Sequence, residues 1–127
     1  MGQAGQPLKL RASDPKLETL ELERGPVAFV DEGKGPVVVC VHGAPGTHRD
    51  FRWLAPALAQ HFRVVRFDMP GFGRTPKSTM PSARLHSRAH FVHEVIQRLE
   101  LEAPILLGHS MGGPVAMATA ALDPERV

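Results

Sequence analysis

The feature that most constrains this sequence is an unbroken apolar run over Val37–Val41, which stops at a His-Gly pair. A run of β-branched residues without polar alternation is typical of a strand covered on both faces, as in a parallel sheet. Two further candidate strands, at 62–67 and 105–108, are also mainly apolar, and stretches with helical spacing separate them. Strands that alternate with helices predict an α/β fold with a mostly parallel sheet flanked by helices.

The hydrophobic pattern predicts eight elements in the order β, β, β, α, β, α, β, α. The predicted strands cover residues 17–22, 26–31, 37–41, 62–67 and 105–108. The predicted helices cover about residues 47–60, 85–99 and 111–122. Thr47 and Asp50 have the spacing of a capping box and open the first helix, in which Pro56 either forms a kink or starts the main segment. We also predict that Phe51 and Trp53 on this helix belong to the core.

Composition excludes several classes of protein. With 43% hydrophobic and 22% charged residues, the chain is a globular domain and not a disordered or fibrous one, preceded by a flexible lead-in over residues 1–16. A net charge of +2, spread along the chain, predicts no nucleic-acid partner. No apolar run approaches the roughly 18 residues that span a bilayer, and no secretory signal is visible, so we predict a cytoplasmic protein without a membrane span. The single cysteine, Cys40, suits a reducing compartment and an inert, buried thiol.

The strongest chemical signal is Gly108-His109-Ser110-Met111-Gly112, which satisfies G-x-S-x-G between a predicted strand and a predicted helix. In that context the serine occupies a tight turn with unusual backbone angles, so its hydroxyl stands clear of the sheet. The two glycines are small because side chains there would collide with the neighbouring strand and helix. The helix that begins at Met111 points its free amide groups toward the charge that develops when the serine attacks.

Two further motifs lie upstream. His42-Gly43-Ala44-Pro45-Gly46 follows the apolar run, and Asp68-Met69-Pro70-Gly71-Phe72-Gly73-Arg74-Thr75 follows the next predicted strand. The first is similar to an H-G-x-P loop and the second to a D-x-P-G-x-G-x-S loop. With the serine turn, these motifs resemble the N-terminal portion of the α/β-hydrolase fold superfamily, in its serine-nucleophile branch, over roughly residues 18–127.

The resemblance implies that Ser110 is the nucleophile and that the backbone N–H groups of Ala44 and Met111 form the oxyanion hole. The other motif positions are then structural: His42, Gly43, Gly108, Gly112, Asp68, Gly71 and Gly73. Family members with Asp in place of the serine include epoxide hydrolases and haloalkane dehalogenases. The resemblance therefore implies a serine hydrolase that acts on a small ester, thioester or related carbonyl substrate through an acyl-enzyme, with no cofactor and no metal.

The chain also departs from the family pattern, in which an Asp or Glu and then a His follow the nucleophile. After Ser110 the acids are Asp123 and Glu125, and no histidine follows. The resemblance thus predicts a partial domain over residues 17–127, truncated before the sixth strand and inactive by itself. The alternative is a catalytically inactive remnant that acts as an interaction or dimerising protein. In either case the bare edge of the strand at 105–108 favours self-association.

The remaining histidines are predicted to be structural or solvated. His86, His90 and His93 share one side of the second helix, but the outer two lie about 10 Å apart along its axis, too far for one metal ion. They are interpreted as a solvated flank. His42 is predicted to shape its loop by hydrogen bonding, and His109 carries little weight as a base.

Overall fold

The computed structural model describes residues 15–127, so the predicted lead-in lies outside the described residues except for its last two positions. The strands are β1 (Glu18–Leu22), β2 (Gly25–Glu32), β3 (Val37–Val41), β4 (Arg63–Phe67) and β5 (Ile105–Gly108). The α-helices are α1 (Ala55–Leu58), α2 (Leu85–Arg98) and α3 (Gly112–Leu122). Two 3-10 turns cover His48–Phe51 and Lys77–Thr79. The order of strands and α-helices is the one that the hydrophobic pattern predicts.

The five strands form one sheet in the order β1-β2-β4-β3-β5. β3 runs parallel to both β4 and β5, whereas β1 pairs with β2, and β2 with β4, in antiparallel register. The α/β fold is confirmed, and the N-terminal hairpin makes the sheet mixed. Because the three parallel strands end at the same edge, the loops that follow them meet there.

Successive residues of β3 point into two different cores, which explains why β3 is apolar throughout. Val39 and Val65 contribute to a large core that includes residues of α2 and α3. Their neighbours Val38 and Val64 contribute to a second core, which includes Phe51 and residues of α1. Both sides of the central strands are therefore covered, as the unbroken apolar run predicts.

The helix predicted over residues 47–60 is wrong as a single element. The capping box of Thr47 and Asp50 is present, but it opens a 3-10 turn, and α1 begins only at Ala55. Pro56 is within the first two residues of α1, where its missing N–H costs no helical hydrogen bond. Of the two roles predicted for Pro56, a kink or a helix start, the structure contains the second.

Of the two aromatic residues predicted to belong to the core, only one is buried. Phe51 is buried, with 5% exposure, whereas Trp53 is 50% exposed and contradicts the prediction. Trp53 lies in the turn between the 3-10 segment and α1, so it is on no helix face that packs against the sheet. The Arg52 guanidinium lies 5.4 Å from the centre of its ring.

Candidate active site

Ser110 lies in the turn between β5 and α3, at the carboxyl end of the parallel strands. Its φ of +54° is in the left-handed region, which costs a non-glycine residue about 1–3 kcal/mol and persists only where the surroundings impose it. Gly112 N–H donates to His109 O at 2.8 Å, and Gly113 N–H donates to Ser110 O at 2.9 Å. These two bonds close the turn and leave Ser110 exposed.

Two glycines allow β5 and α3 to approach the end of β3. A Cβ added at Gly108 would overlap Gly112 O, and one added at Gly112 would overlap Val41 O. Both obstacles are backbone atoms, which cannot swing aside as a side chain does. At Gly113, the next residue, an added Cβ would meet nothing within 4 Å.

The loop after β3 packs directly against this turn. A Cβ added at Gly43 would lie 3.0 Å from both His109 O and Ser110 Cβ. Ala44, the next residue, is exposed, as is Met111 at the start of α3. Within residues 15–127, no hydrogen bond is donated by the backbone N–H of Ala44 or of Met111.

His42 is a buried structural link between two loops. Its Nε2 accepts a hydrogen bond from Met69 N–H at 2.9 Å, and a backbone N–H can only donate, so the ring proton is on Nδ1. That proton is donated to Gly43 O at 2.6 Å. The edge of the ring meets Phe72, with centroids 5.6 Å apart. Burial lowers the pKa of His42, and with both nitrogens engaged the ring has no free lone pair with which to act as a base.

Asp68 joins the loops after β3 and β4. Its Oδ1 accepts from His48 N–H at 2.8 Å and from His48 Nδ1–H at 2.7 Å, and its Oδ2 accepts from Arg74 N–H at 2.9 Å. Burial by itself raises the pKa of Asp68, but these hydrogen bonds more than offset it and hold the pKa below its ordinary value. Gly73, with φ +52°, lies so close to Asp68 that an added Cβ would overlap the carboxylate. Gly71 also has a positive φ, +87°, which favours glycine at this position.

Sequence reasoning missed two residues of this region, His48 and Arg66. Arg66 is 0% exposed; its Nη1 donates to His48 O at 3.1 Å and its Nη2 donates to Glu32 Oε1 at 3.1 Å. The available signal was an arginine between two apolar residues of a strand predicted to be buried, because arginine is almost never fully buried unless it is paired. His48 had no signal of its own.

Three further histidines lie on α2. His86 and His90 are exposed on α2, with ring centroids 4.3 Å apart. The solvated flank does not extend to His93, which is half-buried and whose Nε2 lies 3.4 Å from Asp123 Oδ2. Across residues 15–127 no histidine ring is hydrogen-bonded to Ser110 Oγ.

Three remaining features concern the cysteine, metal ligands and membrane spans. Burial raises the pKa of the Cys40 thiol to about 12, so this thiol is uncharged at neutral pH. In the described part of the chain, no three or more His, Cys, Asp or Glu side chains are grouped as metal ligands. The helices in that part are too short or too polar to cross a bilayer.

Comparison with known proteins gives consistent matches. A family model described as alpha/beta hydrolase fold matches residues 36–127. Haloalkane dehalogenase 2 of Mycobacterium tuberculosis is 32% identical over 119 residues, which cover 90% of this chain and 42% of the relative. The 2-hydroxy-6-oxo-6-(2'-aminophenyl)hexa-2,4-dienoic acid hydrolase of Metapseudomonas resinovorans is 31% identical over 103 residues, which cover 78% of this chain and 35% of the relative.

Solved structures give the same result. A membrane phospholipase A described as a bacterial virulence factor superposes with a TM-score of 0.83 at 26% identity, over 88% of this chain and 37% of that one. The chain spans less than half the length of each of these proteins. Since the family model covers most of the chain, this protein belongs to the α/β-hydrolase fold family.

Proposed function

We propose that this chain is the nucleophile-bearing part of a serine hydrolase that acts on an ester, thioester or related carbonyl substrate through an acyl-enzyme. The observation that carries the proposal is the left-handed turn at Ser110, which exposes a serine beside two unbonded backbone N–H groups. Strained backbone of this kind concentrates at functional sites. The packing of Gly43 against Ser110 Cβ brings the loop of Ala44 to the same turn.

In this mechanism Ser110 Oγ attacks the substrate carbonyl carbon, and the carbonyl oxygen becomes an anion. The N–H groups of Ala44 and Met111 donate to that anion, and the amino end of α3 adds its positive dipole. Loss of one such donor costs about 2.7–4 kcal/mol of transition-state stabilisation. Collapse of the tetrahedral intermediate breaks the bond to the leaving group, which takes up the proton that Ser110 Oγ gave to a general base. An acyl group remains on Ser110, and water then hydrolyses it.

A neutral serine also needs a general base, and residues 15–127 bring none to Ser110. We place the histidine and acid of the triad outside these 127 residues. The oxyanion hole and substrate binding retain about 10³–10⁴-fold of rate acceleration when triad members are missing. Without the base, Ser110 in this chain is expected to react slowly, but faster than a serine that has no oxyanion donors beside it.

Two of the matched proteins support a carbonyl substrate. One is named as a hydrolase of a dienoic acid, and a structural neighbour is titled a phospholipase A. Another is named as a haloalkane dehalogenase, a chemistry that family members perform with Asp at the nucleophile position. Because this chain has Ser110 there, acyl chemistry fits it better.

A fluorophosphonate reagent tests the proposal, since its phosphonyl oxygen occupies the oxyanion hole. The labelling rate is measured for the wild-type chain, for Ser110→Ala and for Ser78→Ala, which removes an exposed serine outside the turn. We expect labelling of wild type and Ser78→Ala at equal rates and loss of labelling in Ser110→Ala. Equal labelling in all three forms would show that Ser110 is not activated.

A second candidate function, an interaction or dimerising protein, is favoured by the edge of β5. Within residues 15–127, β5 pairs only with β3, and Ile105 is 52% exposed. Unpaired strand edges are templates for pairing with another chain. Sedimentation velocity of wild type and Ile105→Lys tests this: a dimer that Ile105→Lys dissociates supports it, and a wild-type monomer argues against it.

A further inference from the structure

The peptide groups on either side of His48 are held from β4 and the loop after it. His48 N–H and Nδ1–H both donate to Asp68 Oδ1, at 2.8 and 2.7 Å. On the other side, His48 O accepts from Arg66 Nη1 at 3.1 Å. The side chains of His48 and Asp68 are 11% and 1% exposed, so water hardly competes for the bond between them. His48 is thus a fixed point of the chain.

This fixed point lies at one end of the short loop that carries Ala44. The other end is His42, whose ring bonds Met69 N–H and Gly43 O. Between the two, the loop folds back on itself: a Cβ added at Gly46 would lie 2.8 Å from Gly43 O. A displacement of the His48 backbone is therefore expected to move Gly46, then Gly43 and Ala44, because closely packed backbone atoms have no free space in which to absorb it.

We propose that His48 is a positioning residue which, through Asp68, holds the Ala44 N–H in the orientation required of an oxyanion-hole donor. This proposal rests on the proposed function. It assigns no proton transfer to His48. Donors of this kind act through preorganised geometry, so a small displacement of the loop weakens stabilisation of the transition state more than binding of the ground state.

Three variants separate positioning from general stability. His48→Ala removes the bond from the ring but leaves His48's backbone bond to Asp68. His48→Asn places an amide nitrogen at the same covalent distance from Cβ as Nδ1, so it restores a donor to Asp68. His93→Ala is the matched control: His93 on α2 also faces an aspartate, Asp123, which directly follows α3, and neither residue belongs to the Ala44 loop.

The first readout is fluorophosphonate labelling of Ser110 as a function of reagent concentration. We expect His48→Ala to lower the maximal labelling rate about tenfold, with the half-saturating concentration unchanged. His48→Asn is expected to recover most of that loss, and His93→Ala to label like wild type. A wild-type maximal rate in His48→Ala, even with a lowered melting temperature, would overturn the proposal.

The second readout, the backbone amide resonance of Ala44 in a ¹⁵N-labelled chain, does not depend on the reactivity of Ser110. We expect the resonance to move in His48→Ala, to return toward its wild-type position in His48→Asn, and to stay unmoved in His93→Ala. An unmoved resonance in His48→Ala overturns the positioning proposal whether or not Ser110 is labelled. Absence of wild-type labelling counts against the serine hydrolase instead.

Discussion

The two loops that form the candidate site are positioned by different forces. Loop 42–48 is held by buried polar side chains: His42 bonds Met69 N–H, and Asp68 bonds His48. The serine turn at 108–112 is held by backbone hydrogen bonds and by the absence of side chains at its two glycines. The stability of loop 42–48 should therefore depend on charge and pH. The stability of the serine turn should depend on the volume of any side chain introduced at its glycines.

The largest effect is expected from Asp68→Ala, which breaks the polar anchor of loop 42–48. The change removes the acceptor of three part-buried hydrogen bonds, two donated by His48 and one by the N–H of Arg74. Leaving a buried donor without its acceptor costs about 1–3 kcal/mol, and three donors lose theirs, so we expect the free energy of unfolding in urea to fall by at least about 3 kcal/mol. Asp123→Ala is the control, because its partly exposed pairs with His93 and Arg126 contribute less than about 1 kcal/mol. Equal losses in the two variants would contradict the polar anchor.

Gly112→Ala tests the volume limit of the serine turn. Its methyl group would overlap Val41 O, and overpacking of this kind costs about 1–3 kcal/mol. We expect the upper part of that range, because backbone cannot give way, together with loss of Ser110 labelling. Urea unfolding and fluorophosphonate labelling measure the two effects. Unchanged stability would show that the contact between β3 and α3 adjusts easily.

A drop in pH should affect the two loops unequally. The pKa of His42 is lowered from 6.5 by burial, and that of Asp68 is lowered from 3.8 by its hydrogen bonds. For both groups the unfolded chain binds a proton at a higher pH than the folded chain does. Each group therefore stabilises the fold above its unfolded pKa, and this stabilisation is lost as the pH falls through the folded pKa.

The His42 contribution is therefore expected to decline below about pH 6.5, and the Asp68 contribution only below about pH 4. Amide protection factors measure this: Met69 N–H, bonded to the His42 ring, should lose protection at a higher pH than Gly112 N–H. Simultaneous loss at both amides would show that the loops open together.

The smallest effect is expected from Gly113→Ala, adjacent to the most crowded glycine. Nothing lies within 4 Å of the added methyl group, and α3 gains a better helix former. We expect a gain of up to about 1 kcal/mol in the free energy of unfolding, with Ser110 labelling unchanged. A loss comparable to that of Gly112→Ala would show that the turn tolerates no side chain anywhere, so sterics at Val41 would not be the cause.

The sequence predicted what depends on local pattern and short-range sterics. The apolar runs predicted the strands, and the small residues around Ser110 predicted a tight turn whose left-handed φ the structure contains. The single helix over 47–60 and the buried Trp53 were wrong, because a 3-10 turn and a proline divide that stretch. The roles of His48 and Arg66 depend on contacts between distant segments, which no local pattern records.

The strand order has a consequence for how the candidate site assembles. β3 pairs on one side with β4, which follows soon in the chain, and on the other with β5, which comes only after α2. Contacts between distant segments form late, since chain entropy is lost before they are made. During synthesis, the serine turn would thus join β3 and β4 after those two strands have paired, and its backbone strain would be imposed by a sheet that formed before it.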